Sequence, residues 1–114
     1  MKFMLMHYSN EDNEAGVPPT PELMAAMGEF MADSARSGVL LAAEGVGPSS
    51  QGARLSIDGG SIKVTDGPFA EAKELIAGFA ILDVKSKEEA IEHAKRFAKI
   101  SGATKIDVRR VAEF

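Results

Sequence analysis

The chain has no cysteine. That excludes disulfides, a thiolate nucleophile and thiolate metal ligands together, and it suits a reducing compartment. Histidine is scarce: with only His7 and His93, a zinc site would need carboxylates to complete its shell, so neither metal nor cofactor is expected. Positive charge is also short. Thirteen Lys and Arg face 17 Asp and Glu, a net charge of −4, which leaves no field to hold a phosphate backbone and argues against a nucleic-acid partner. Long apolar runs are missing too. Nothing approaches the roughly 18 residues that span a bilayer, and the opening "MKFMLM" is cut off at His7, too short and too polar for a secretory signal. The expected location is the cytoplasm, with no membrane partner.

What is present is ordinary for a globular domain. The 114 residues are 45% hydrophobic and 26% charged, which fits one domain over 1–114. A chain of this length can bury roughly two thirds of the surface it exposes when unfolded.

Local patterns give an ordered set of elements. "KFMLMHY" reads as a strand, apolar on both faces, with Phe3, Leu5 and His7 on one and Met4, Met6 and Tyr8 on the other. "SNEDNEAGVPP" reads as a polar, mobile loop. Thr20 and Pro21 then start a helix along which Leu23, Met27, Phe30, Met31 and Ser34 recur, ended by Ser37-Gly38. "VLLAAEGV" is a buried strand, "ARLSI" and "IKVT" flank a hairpin turn at Asp58-Gly59-Gly60, and "IAGFAILDV" is another apolar strand. Ser86 and Glu89 form a capping box for a helix with Ala90, Ile91, Ala94, Phe97 and Ala98 on one stripe and Gly102 at its end. "KIDVRRV" is the last strand.

The order predicts an α+β fold, a ferredoxin-like split βαβ sandwich. Two helices cover one face of such a sheet. The apolar second face then predicts packing on another copy of the chain, a homodimer.

Two residues stand out as candidates for chemistry. The connection from Asp66 to Leu75 is about ten residues, where hairpin loops take 2 to 5. Asp66-Gly67-Pro68 constrains its backbone, with Gly67 open to positive φ and Pro68 fixed, so the Asp66 carboxylate is rigidly placed. The plain alternative is an Asx turn. His7 points where the strand buries side chains, either as a core histidine with one hydrogen bond or as a general acid or base. Other patterns fail on spacing. The acidic loop has Ala15 and Pro21 where a calcium loop needs Gly and Glu, and "GVGPSS" has Ser50 where a dinucleotide fingerprint needs its third Gly. His93, four residues after Glu89, falls on a solvated helix spacing and receives no role.

At "DGPFAEAKE" the sequence resembles the signature of the YCII-related family in its DGPF-domain branch, and the likeness extends to "MKFMLMHY", "AAEGVGPS" and "GFAILDVKSKEEAIEHAKR". The resemblance implies a ferredoxin-like fold that dimerises in the manner of dimeric α/β barrels. It also implies an acid-base pair of a first-strand His and a later Asp, which fall here on His7 and Asp66. Glu71 and Lys73 match charged positions of the signature. On this reading the long loop walls a pocket in which Asp66 orients His7, Glu71 and Lys73 meet a small polar ligand, and His7 moves a proton. The alternative implied by the resemblance is a non-catalytic accessory that binds a ligand or partner, linked to sigma-factor regulation of transcription.

Overall fold

The computed structural model describes residues 1–114. Its elements in chain order are β1 (Lys2–Tyr8), a single-turn α1 (Glu11–Glu14), α2 (Pro21–Arg36), β2 (Leu40–Gly45), β3 (Ala53–Asp58), β4 (Ser61–Asp66), β5 (Ile76–Asp83), α3 (Lys87–Ser101) and β6 (Ile106–Arg110). Short 3-10 turns over Ser49–Gln51 and Ala72–Glu74 sit in the loops before β3 and before β5.

Four strands form one antiparallel sheet in the order β2-β5-β1-β6, and β3 and β4 form a separate hairpin. β5 lies between β1 and β2, and β1 lies between β5 and β6, so both strand-helix-strand units are split and interleaved. The sheet is open. Four strands with free edges at β2 and β6 do not close into a barrel within one chain.

The helix ends follow their local chemistry. Thr20 Oγ1 accepts from Leu23 N at 3.2 Å, and Pro21 takes the first helical position, where a missing N–H costs nothing. Ser86 Oγ accepts from Glu89 N at 3.1 Å, but Glu89 Oε2 accepts from Lys85 N, one residue before the cap. Gly102 closes α3 at φ +75°, a conformation that disfavours a Cβ.

The core is small. Phe3, Leu5, Leu82, Val84, Ala90 and Ala94 are its buried apolar residues, and they join β1, β5 and α3. Phe3 stands opposite Leu82 and Leu5 opposite Ala80, on the helix side of the sheet. α2 contributes no fully buried residue. Met4, Met6, Phe79 and Ile81 occupy the other side, half-buried, and the helices do not cover it. The strand pattern that predicts cover on both faces is met on one face only within a single chain.

This leaves an extended molecule. It measures 45 × 40 × 20 Å with a radius of gyration of 15.8 Å, where a compact chain of this length has about 13 Å. Its accessible surface is 7946 Å², roughly 1900 Å² more than a compact chain of its mass exposes.

Candidate functional site

β1 carries His7 on the helix side, two residues beyond buried Leu5 and opposite Gly78 of β5. A Cβ at Gly78 would stand 2.5 Å from His7 Nε2 and 3.0 Å from the Glu44 carbonyl oxygen, so the glycine is what admits the imidazole. The space beside it is a cavity of about 180 Å³ between sheet and helices, walled by Leu5, Met27, Met31, Phe97 and Ile106 together with His7 and His93. The His7 ring tilts against Phe97 with centroids 5.3 Å apart. Burial pushes its pKa below 6.5. The ring is therefore neutral at pH 7 and keeps the lone pair that a general base needs.

His93 is the residue that the helical spacing misplaced. It is buried, 5% exposed, and meets the edge of Phe30 at 4.8 Å between centroids. Phe30 in turn meets Phe97 edge-on at 6.4 Å, so the two imidazoles are linked through two phenyl rings. Residue 93 is three after Ala90 and four before Phe97, and α3 turns that side inward. His93 walls the 180 Å³ cavity and also a broader groove of about 520 Å³ between α2 and α3, whose rim includes Glu29, Asp33 and Arg96. Its pKa is lowered by burial first and by the Arg96 charge second. No three His, Asp or Glu side chains converge closely enough to hold a metal ion.

Asp66 ends β4 opposite Ala53, and its residue is exposed. Asp66 is not among the residues that wall the His7 cavity. Glu71 and Lys73 are likewise exposed, Glu71 before the 3-10 turn and Lys73 inside it.

The signature loop has a different set of partners. Gly67 N donates to the Gly52 carbonyl at 3.0 Å, the Gly67-Pro68 peptide is cis, and Phe69 N donates to Ser49 Oγ at 2.9 Å. Gly67 is not at positive φ. It is required by proximity, because a Cβ there would fall 1.7 Å from the Ser49 carbonyl oxygen. Ser49 is held in turn by Glu14, whose carboxylate accepts from Ser49 N at 2.8 Å and from the Ser49 hydroxyl. The acidic segment that reads as a mobile, solvated loop is thus α1, capped by Asn10 and anchored through Glu14.

The opposite parity of β1 carries a second polar group. Tyr8 OH donates to Asp107 Oδ2 at 2.5 Å, and the Lys105 ammonium lies 4.0 Å from the Tyr8 ring centroid. The hydrogen bond to Asp107 is the first cause of a raised Tyr8 pKa, with burial and the Asp107 charge adding to it. Tyr8 and Asp107 sit 99 residues apart, and only the pairing of β1 with β6 brings them together.

These features define a small α+β domain on the split βαβ plan, with an interior cavity lined mostly by apolar residues and with His7, His93 and Glu44 also in its wall. The chain matches the YCII-related domain over residues 1–114 and belongs to the YCII-related family. It is similar to an uncharacterised protein of Rhizobium meliloti (strain 1021), 37% identical over 57 residues, which are 50% of this chain and 46% of that protein. The match therefore spans about half the length of that relative.

Proposed function

We propose that this protein is a homodimeric acid-base catalyst in which neutral His7 takes a proton from a small molecule held in the interior cavity. The observation that carries the reading is the His7 imidazole, given room by Gly78 and facing that cavity. About 180 Å³ is close to the volume of engineered apolar cavities that accept benzene, roughly 150 Å³. The ligand class is therefore a molecule of one ring or similar size. Its apolar face meets Met27, Met31 and Phe97, and its polar atom meets an imidazole. His93, in the same wall, is the second group able to exchange a proton.

Asp66, Glu71 and Lys73 remain in the proposal as charged groups of the signature loop. Pairing of Asp66 with His7 would need the loop to move or a second copy to bring the carboxylate in. The "DGPF" sequence at 66–69 supports placement in the DGPF-domain branch, and a cysteine-free composition supports a cytoplasmic location. Dimerisation is supported by the uncovered apolar sheet face and by an excess surface of roughly 1900 Å², against the 800 Å² or so that each partner of a standard interface buries. The dimer is proposed to be of the dimeric α/β-barrel type.

The test is proton exchange in D2O. One-ring carbonyl compounds with an acidic C–H are incubated with the protein, and loss of that proton signal is followed by NMR. Exchange about 10²- to 10⁴-fold above buffer, abolished in His7→Gln, is the expected result. Compounds that bind in the cavity without any exchange would instead favour the non-catalytic, regulatory accessory.

A further inference from the structure

We infer that the β3–β4 hairpin is an arm that clasps a second copy of this chain through a face made by Leu55, Ile57, Ile62 and Val64. The inference rests on the homodimer proposed above and names a surface that the dimer uses.

Register places the four side chains together. Leu55 pairs with Val64 and Ile57 with Ile62, so all four project from one side of the two-stranded ribbon. The other side alternates with them: Arg54 opposite Thr65, Ser56 opposite Lys63 and Asp58 opposite Ser61. Apolar and polar residues alternate from Ala53 to Asp58 and from Ser61 to Thr65, and Asp66 opposite Ala53 puts a carboxylate at the base of the apolar side. Such alternation is the mark of a strand with one buried face. Here no face is buried. Every residue of β3 and β4 is exposed, and the four apolar side chains are 58 to 69% exposed.

The polar side already has its neighbour, since the Arg54 guanidinium lies 4.2 Å from the centroid of the Phe69 ring in the signature loop. The apolar side has none within the chain. An isolated two-stranded hairpin is marginally stable in water, and a contiguous exposed apolar face on it marks an interaction surface.

Area selects the occupant. The surface in excess of a compact chain, roughly 1900 Å², is more than twice the 800 Å² or so that one partner of a standard interface buries. The four arm residues are among the most exposed large apolar side chains of the chain, and the open sheet face adds half-buried Met4, Met6, Phe79 and Ile81. An isologous pair covers both at once, because each copy offers the same surplus and the same complementary surfaces.

The natural absence of cysteine permits a direct test. Ile62→Cys and Lys63→Cys each place one thiol on the hairpin, on opposite sides of the ribbon, and maleimide labelling rates are measured alongside sedimentation equilibrium of the unmodified chain. The expected result is a dimer in which the thiol of Ile62→Cys labels at least about tenfold more slowly than that of Lys63→Cys, with the ratio approaching one on dilution to monomer. A dimer with equal rates overturns the arm while leaving the homodimer standing. A monomer at all concentrations overturns both, and the face then belongs to a different occupant. As a second measure, Leu55→Ser with Val64→Thr should raise the dimer dissociation constant at least about tenfold with an unchanged circular dichroism spectrum; an unchanged constant overturns the arm.

Discussion

Gly78 and His7 show how closely one residue conditions another. Gly78→Ala would put a methyl 2.5 Å from Nε2, and relief of that overlap should cost about 1 to 3 kcal/mol. A lower urea midpoint together with displaced His7 ring resonances is the expected readout. The two histidines also set a pH dependence. Each has a folded pKa below 6.5, so just under that pH the unfolded chain holds more protons than the folded one. Stability is therefore fully present above about pH 6.5 and falls as pH drops, by at most about 1.4 kcal/mol per pH unit for each histidine. Urea titrations between pH 7 and pH 5 measure the slope, and His93→Phe should flatten it. Since Asp66 is exposed on the hairpin and does not wall the His7 cavity, Asp66→Asn should leave the His7 NMR titration midpoint unmoved. A fall of more than about half a unit would mean that a carboxylate reaches the ring in solution.

At the scale of elements, the Ser49 hydroxyl joins α1 to the signature loop by donating to Glu14 and accepting from Phe69 N, beside bonds from Ser49 N to the Glu14 carboxylate and from Gly67 N to the Gly52 carbonyl. Ser49→Ala should cost about 1 to 3 kcal/mol, because Phe69 N and the Glu14 carboxylate both lose a partner, and limited proteolysis should cut the 67–75 loop sooner. Gly67→Ala should cost more, since the obstacle is backbone. Most elements were legible in the sequence because their signals are local: Thr20-Pro21, Ser86 and Gly102 mark helix ends where they stand, whereas α1 reads as a loop and β2, read as buried, is a largely exposed edge strand. His93 was not legible. It sits about 40° around the helix from Glu89 and about 60° from Ala90, at the border of the two faces, and only packing against Phe30 decides which it joins. The neighbours of Asp66 were not legible, because a hairpin that leaves the sheet carries it away. Glu14 and Ser49, 35 residues apart, left no mark that spacing could reveal.

For the whole molecule, the proposed homodimer predicts that Phe79→Glu, which puts a charge among Met4, Met6 and Ile81 on the uncovered sheet face, shifts the protein to monomer in sedimentation equilibrium while the helices persist by circular dichroism. The uneven distribution of the core has another consequence. β1 is hydrogen-bonded on both sides and α3 holds Ala90, His93 and Ala94 buried, whereas α2, which supplies Met27 and Met31 to the cavity wall, buries nothing completely. Amide hydrogens of α2 should exchange with solvent well before those of β1 and α3. The cavity then has one rigid wall that holds His7 and one yielding wall, and a molecule wider than the resting space would enter by displacing α2 while the histidine stays in place.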